Sequence, residues 1–118
     1  MITKMVPMIH VPDVRATAEW YEARGFKVVR THADDDVLSW ALLAFGSSEL
    51  MLNEGGLAST AHRREVDLYV HDDDVAATFA RLEGLVEVVE PLHDTFYGMR
   101  EFIIRDLNRF WLTFGQPV

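Results

Sequence analysis

The sequence predicts an α+β fold built from two tandem βαβββ modules. The main observation is an internal repeat, because Asp13-Val14-Arg15-Ala16-Thr17 returns as Asp74-Val75-Ala76-Ala77-Thr78. A second match, Leu50–Asn53 with Phe110–Thr113, keeps nearly the same offset of about sixty residues. Repetition at half the length of a 118-residue chain indicates duplication of one structural unit. We therefore predict a single domain with module 1 at residues 1–54, a linker at 55–62 and module 2 at 63–118.

Each module is predicted to begin with a short strand that leads into a helix. The runs Met5–Val11 and Val66–His71 are rich in β-forming residues and directly precede the repeated segments. Asp13 opens the first helix, and Asp74 or its neighbour Asp73 opens the second. An aspartate at this position accepts hydrogen bonds from the free N–H groups of the first helical turn.

The two predicted helices are amphipathic, and each ends at a glycine. Side chains at helical spacing form one buried stripe on each helix: Val14, Thr17, Ala18 and Tyr21 on the first, and Val75, Phe79 and Leu82 on the second. Gly25 and Gly84 then stop the helices because glycine adopts the left-handed backbone conformation without a steric penalty. We interpret Trp20 and Tyr21 as packing residues.

Three strands are predicted after each helix, which completes the order β, α, β, β, β in both halves. They are Phe26–Arg30, Val37–Phe45 and Glu49–Asn53 in module 1, and Leu85–Glu90, Met99–Arg105 and Arg109–Gly115 in module 2. The stretch Gly55–His62, rich in Gly, Ala and Ser, joins the halves.

Composition argues against several classes of protein. The net charge is −8, and no cluster of Lys and Arg is larger than Arg63–Arg64, so a phosphate-binding nucleic-acid surface is not expected. The absence of cysteine excludes disulfides and thiolate chemistry. No apolar run approaches the roughly eighteen residues of a membrane span, and Met1–Pro12 lacks the pattern of a signal peptide. We expect a cytoplasmic protein with neither membrane nor nucleic acid as partner.

Other short patterns do not indicate a catalytic site. The runs Asp34–Asp36 and Asp72–Asp74 lack the spacing and the distal Glu of an EF-hand, and are interpreted as turns and a helix cap. Phosphate-binding glycine loops and Gly-x-Ser-x-Gly elbows are absent. Four histidines are interpreted as surface residues in loop-like stretches: His32, His62, His71 and His93.

Two stretches resemble the vicinal oxygen chelate superfamily, which includes glyoxalase I, extradiol dioxygenases, fosfomycin resistance enzymes and bleomycin resistance proteins. The first is the opening strand followed by Val11-Pro12-Asp13, then Glu19-Trp20-Tyr21 and Gly25-Phe26. The second is the closing stretch Tyr97–Trp111, where Leu107 and Arg109 replace the Pro and Gly of the family's usual Asp-Pro-Asp-Gly turn. The resemblance implies curved mixed sheets around a small-molecule cavity.

The resemblance also implies where metal-dependent relatives carry their ligands. The usual His position is held by Val6, the usual Glu position by Thr113 and its counterpart in module 1 by Asn53. The fourth position falls between Glu65 and Asp67. Valine has no donor atom, and neutral Thr and Asn are poor ligands for a divalent ion. We therefore predict neither a metal site nor a cofactor, and nothing places further ligands near His10.

Strand alternation then predicts the residues that line the cavity. If Thr113 faces inward, Trp111 shares its face, while Phe110, Leu112 and Phe114 pack on the other side. The predicted ligand-binding residues are Val6, Met8, His10, Trp40, Met51, Asn53, Tyr97, Trp111 and Thr113. An apolar, aromatic lining with a few polar points suits a flat or amphipathic organic molecule.

These observations favour a metal-free binding protein of the bleomycin-resistance type. The resemblance to that branch implies that the protein binds or sequesters an aromatic compound, with or without a positive charge, such as an antibiotic, that it catalyses no reaction and that it forms a homodimer. The alternative is a glyoxalase-like lyase or isomerase, or a dioxygenase-related enzyme, with a displaced or vestigial metal site or with acid–base chemistry through His10 or a buried Glu. A third hypothesis is a regulatory or interaction module with a vestigial cavity.

Overall fold

The computed structural model describes all residues from 1 to 118, and it confirms the predicted order of elements. The elements are β1 (Met8–His10), α1 (Val14–Ala23), β2 (Lys27–Asp34), β3 (Val37–Phe45), β4 (Ser48–Asn53), β5 (Asp67–His71), α2 (Val75–Leu82), β6 (Glu87–Asp94), β7 (Met99–Arg105) and β8 (Trp111–Pro117). The chain divides into two compact units, Met1–Ala58 and Ser59–Val118, each of which contains one βαβββ module.

Both helices begin and end as the sequence predicts. The side-chain oxygen Oδ1 of Asp13 accepts a hydrogen bond from the backbone N–H of Ala16 at 2.9 Å, and Asp74, rather than Asp73, caps α2 in the same way. Gly25 and Gly84 follow the helices with φ angles of 88° and 87°, in the left-handed region that glycine tolerates. Neither helix is long and apolar enough to cross a membrane.

In the first unit, α1 packs on one face of a four-stranded mixed sheet with the strand order β1-β4-β3-β2. Strand β1 runs parallel to β4, and the other neighbours are antiparallel. Tyr21 of α1 is fully buried, and its ring lies 6.1 Å from the ring of Phe45 in β3. Residues of β3 that alternate with Phe45, such as Trp40 and Leu42, therefore face away from α1.

The second unit repeats this arrangement with the strand order β5-β8-β7-β6. Phe79 of α2 lies 5.0 Å from Phe102 of β7, which stacks on Phe114 of β8 with ring centroids 4.8 Å apart and an interplanar angle of 8°. Phe110 and Leu112 are buried as well. This confirms the prediction that Phe110, Leu112 and Phe114 pack in the core.

Several strand bounds differ from the prediction: β1 is shorter, β4 begins one residue earlier, and β2 and β6 extend to Asp34 and Asp94. His32 and His93, like His71 at the end of β5, therefore lie in strands and not in loops. The sequence does not predict the extensions of β2 and β6, because they contain polar residues of low β-propensity. Pairing with a long antiparallel neighbour outweighs this low propensity in the structure. Asp35 and Asp36 form the two-residue turn after β2 with φ angles of 50° and 66°, as in a type I′ hairpin.

The final hairpin keeps a tight turn despite its unusual sequence. Arg109 stands at the position of the family's glycine and adopts a φ angle of 72°. Buried Asp106 holds the turn, since its Oδ1 atom accepts hydrogen bonds from the backbone N–H groups of Asn108 and Phe110, both at 2.9 Å. These two bonds offset the cost of the left-handed arginine.

Candidate functional site

The face of the first sheet opposite α1, here called open face 1, carries five of the predicted ligand-binding residues. In the register of the strands, Met8 pairs with Met51, and Asn53 pairs with both His10 and Trp40. Neighbours in register point to the same side of a sheet, so these five side chains form two adjacent rows across β1, β4 and β3. The structure thus brings residues of β1 next to residues of the β3–β4 hairpin, which lies about thirty residues further along the chain.

Open face 1 is apolar with two polar points. Met8 is exposed, whereas Trp40, Met51 and Asn53 are half-buried. The Nδ1 atom of His10 lies 3.1 Å from the backbone oxygen of Glu54 and takes part in a hydrogen bond there. The predicted lining residue Val6 precedes β1, outside any strand, and is half-buried.

Trp111 and Thr113 lie on the corresponding face of the second sheet, opposite α2, here called open face 2. Trp111 pairs with Asp67 of β5, and Thr113 pairs with Tyr69. Thr113 is buried and Trp111 half-buried. The predicted alternation of β8 is therefore correct.

The ring of Trp111 is already occupied by neighbours within its own unit. Its Nε1 atom donates a hydrogen bond to the backbone oxygen of His62 at 3.1 Å. The imidazole ring of His62 also lies edge to face with the indole, with ring centroids 5.7 Å apart. The guanidinium carbon of Arg63 lies 4.5 Å from the centroid of the indole, while the same side chain forms an ion pair with Asp67. The guanidinium of Arg63 thus occupies the cation–π position over the Trp111 ring.

The segment 61–64, which spans the predicted boundary between the linker and module 2, is anchored on the strands of module 2. The buried guanidinium of Arg105 donates through Nη2 to the backbone oxygen of His62 at 2.8 Å and through Nη1 to Glu87 at 2.7 Å. Arg109 donates through Nε to the backbone oxygen of Ala61 at 2.9 Å. These arginines hold the segment against the strands that carry Trp111.

Open face 2 also contains a polar cluster that the sequence did not reveal, formed by Tyr69, Tyr97 and Glu101. The carboxyl group of Glu101 in β7 belongs to a side chain that is only 3% exposed. The Tyr69 hydroxyl donates to its Oε2 atom and the Tyr97 hydroxyl to its Oε1 atom, each at 2.6 Å. The predicted ligand-binding residue Tyr97 therefore donates its hydroxyl to the buried carboxylate of Glu101.

Gly115 makes this cluster possible. It pairs with Glu101 on one side and with His71 on the other, and it lies inside β8. A Cβ atom at this position would be 2.1 Å from the Tyr69 hydroxyl oxygen and 3.2 Å from Cγ of Glu101. A glycine inside a predicted strand often marks a close approach, and this was the available signal in the sequence.

Both phenols are held in the protonated, hydrogen-donating form. Burial, followed by the hydrogen bond to Glu101, raises the pKa of Tyr69 well above its ordinary value. For Tyr97 the hydrogen bond to Glu101 is the main cause that raises the pKa. No lysine, arginine or histidine lies within ion-pair distance of the Glu101 carboxylate, so its hydrogen bonds are satisfied while its charge has no counter-ion.

The residues at the family's metal-ligand positions do not fit a metal ion. The strand register makes Met51, and not Asn53, the equivalent of Thr113, because Met8 and Tyr69 precede the helix caps by the same distance. The same comparison relates Val6 to Asp67, the one carboxylate in the set, and both oxygens of Asp67 accept hydrogen bonds from Arg63. No group of three or more His, Cys, Asp or Glu side chains is arranged to hold a metal.

An open depression of about 540 Å³ lies where β5 and β8 end. Its walls are His71, Asp72, Asp73, Gly115, Gln116 and Pro117. The depression shares Gly115 with the surroundings of Glu101, and it is widely open to solvent.

The sequence model of a family described as the Glyoxalase/Bleomycin resistance protein/Dioxygenase superfamily matches residues 5–114. No curated protein matches the chain in sequence.

Several solved structures share the whole fold at low sequence identity. TioX from Micromonospora sp. ML1 is 22% identical with a TM-score of 0.80, and the match covers 98% of this chain and 99% of the other. A bleomycin-binding protein complexed with bleomycin is 16% identical with a TM-score of 0.76, with 99% and 100% covered. A bleomycin resistance determinant encoded on the transposon Tn5 is 20% identical with a TM-score of 0.73, with 98% of each chain covered.

Proposed function

We propose that this chain, which belongs to the Glyoxalase/Bleomycin resistance protein/Dioxygenase superfamily, binds and sequesters a small organic molecule without catalysing a reaction. The observation that carries the proposal is open face 1, where Met8, Trp40 and Met51 form an apolar, aromatic surface with His10 and Asn53 as polar points. Binding sites for drug-sized molecules have this composition, with few polar groups that orient the ligand.

The proposed ligand is aromatic and amphipathic. A structural neighbour was solved in complex with bleomycin, which makes bleomycin the first compound to test. The net charge of −8 favours association with a cation over an anion. An antibiotic-resistance role for this chain is part of the proposal.

The proposal includes no metal ion, because the donor set at the family's ligand positions contains one carboxylate that is already paired with arginine. No contact in the structure favours the lyase, isomerase or dioxygenase alternative. Of the groups considered for acid–base chemistry, His10 lies against a backbone oxygen, and both oxygens of buried Glu101 accept tyrosine hydroxyls.

Calorimetric titration with bleomycin and a panel of aromatic amines, alcohols and acids tests the proposal. Trp40→Ala removes the largest side chain of open face 1, and we expect it to weaken binding by about 1–3 kcal/mol through lost stacking and burial. Trp20→Phe is the control, because Trp20 lies on α1. Absence of binding across the panel, or equal losses in the two variants, would contradict the proposal.

We also propose that the protein is a homodimer in the cytoplasm. Each unit contains a four-stranded sheet with a helix on one face only, and a second subunit can cover the other face. Light scattering distinguishes the dimer from a monomer of 13.5 kDa, and cell fractionation tests the compartment. A monomer at micromolar concentration would refute the dimer.

A further inference from the structure

We propose that Tyr69, Glu101 and Tyr97, here called the tyrosine–glutamate cluster, bind the positively charged amine of an organic ligand. The inference rests on the proposed function and deepens it, because it names organic amines as the class of ligand.

The first argument is the charge of Glu101. A buried carboxylate is costly unless hydrogen bonds and an opposite charge compensate it. Two short hydrogen bonds of 2.6 Å from Tyr69 and Tyr97 satisfy its oxygens. These donors are neutral and remain so, and no basic side chain lies within ion-pair distance. The cluster therefore presents an uncompensated negative charge in a weakly hydrated place, and an organic cation supplies the missing charge.

The second argument is the aromatic surroundings of this charge. Tyr69 and Tyr97 are 44% and 56% exposed, so their rings are accessible although their hydroxyls point to a buried group. The Phe96 ring is 99% exposed and lies edge to face with Tyr97 at 5.0 Å, and the His71 ring lies 5.1 Å from Tyr69. Accessible aromatic faces around a carboxylate attract alkylammonium groups through cation–π interactions.

The third argument is the position of the cluster in the sheet. Gly115, which lies against the Tyr69 hydroxyl and the Glu101 side chain, also lines the open depression of about 540 Å³ at the ends of β5 and β8. Two further carboxylates, Asp72 and Asp73, line this depression. Their negative charges favour the approach of a cation to this end of open face 2.

A metal ion at the cluster, or an organic cation at Trp111, fits the structure less well than an organic amine at Glu101. A divalent metal needs at least three donors, and no such group of His, Cys, Asp and Glu is present. The indole of Trp111, the other aromatic on open face 2, is covered by Arg63 within its own unit. An organic amine at Glu101 needs neither additional ligands nor displacement of an arginine.

Two small probes that differ in charge test this assignment. Phenethylamine is a cation at pH 7, and 2-phenylethanol is its neutral analogue of similar size. Amide and methyl NMR spectra of the full-length protein are recorded during titration with each compound. We expect phenethylamine to shift signals of Tyr69, Tyr97, Glu101 and Gly115, and to bind at least about tenfold more tightly than the alcohol, because the neutral hydroxyl forms neither the ion pair nor the cation–π contacts.

Glu101→Gln keeps the shape of the side chain and removes the charge, so it should weaken phenethylamine binding about tenfold and leave 2-phenylethanol binding unchanged. Glu83→Gln is the matched control, since it removes one exposed carboxylate at the end of α2 on the other side of the sheet. If Glu101→Gln does not fold, nuclear Overhauser contacts in the wild-type protein between the methylene next to the amine and the rings of Tyr69 and Tyr97 decide the question.

Three results would overturn the inference: equal affinity for the two probes, shifts confined to open face 1, or no response to either probe. The first two leave the proposed function standing, since a ligand still binds. The third removes the amine site alone, because bleomycin and the aromatic panel test the proposed function separately.

Discussion

The guanidinium carbon of Arg63 lies 4.5 Å from the centroid of the Trp111 ring, and the indole N–H binds the backbone oxygen of the neighbouring His62 at 3.1 Å. Trp111 therefore holds the segment 61–64 in place, whether or not it also contacts a ligand. The indole therefore has a structural role, and its predicted role in ligand binding is a separate one. Two substitutions distinguish these roles.

Trp111→Ala should leave the fold intact, because Phe110, Leu112 and Phe114 hold the opposite face of β8 in the core. If the indole is a ligand wall, the substitution weakens binding of a stacked aromatic compound by about 1–3 kcal/mol. Arg63→Ala should then strengthen binding of a cationic aromatic compound, because it uncovers the ring. Calorimetry measures both effects, and unchanged affinity in both variants would make Trp111 purely an anchor.

Gly115→Ala should displace Tyr69 from Glu101, because the new Cβ atom would lie 2.1 Å from the Tyr69 hydroxyl oxygen. We expect a loss of about 1–3 kcal/mol in the free energy of unfolding, measured by urea denaturation. The same substitution in a Tyr69→Leu background should cost much less, since the clashing ring is absent. Equal costs in the two backgrounds would show that the clash does not involve Tyr69.

The stability of the protein should fall in alkaline solution. The folded state raises the pKa of Tyr69 above its ordinary value of 10.0, so it favours the protonated phenol. This contribution is complete below pH 10.0 and is lost as the pH rises from there towards the higher folded-state pKa. Urea denaturation across this range should give a steeper decline for the wild-type protein than for Tyr69→Phe. Parallel pH profiles would contradict the raised pKa that burial and the hydrogen bond to Glu101 give to Tyr69.

Gly56→Ala should destabilise the first unit strongly. A Cβ atom there would lie 2.3 Å from the backbone carbon and oxygen of His10, and backbone atoms of a paired strand cannot move aside. We expect a loss of about 3 kcal/mol or more in the free energy of unfolding. Gly55→Ala is the control, with a φ angle of 92° but open space around its Cβ atom, and should cost about 1 kcal/mol. A smaller effect at Gly56 than at Gly55 would refute this packing.

The protein should bind no catalytic divalent metal. Elemental analysis after purification without chelator should find no near-stoichiometric Zn, Ni, Mn or Fe, and these ions should not raise the melting temperature. The residues at the family's ligand positions are Val6, Met51, Asp67 and Thr113, and only Asp67 carries a carboxylate. The expectation follows from this set. Stoichiometric metal that disappears on substitution of a residue of open face 1 or 2 would be incompatible with it.

The sequence by itself determined the order of the elements, the ends of the helices and the facing of β8. The repeated aspartates and glycines mark the helix ends because capping and left-handed turns depend on one or two neighbouring residues. Alternation placed Phe110, Leu112 and Phe114 in the core and Trp111 on the other face, because the side-chain period of a strand is two residues. These are local relationships, and a single sequence contains them.

Only the tertiary structure decided which side chains meet. Tyr69 and Glu101 are thirty-two residues apart in the chain and come together because β8 pairs with both β5 and β7. The register of those pairs also made Met51 rather than Asn53 the equivalent of Thr113, and the anchoring of segment 61–64 placed Arg63 over Trp111. Register depends on packing between distant segments, and a shift of one residue turns every side chain to the opposite face, so local patterns do not determine it.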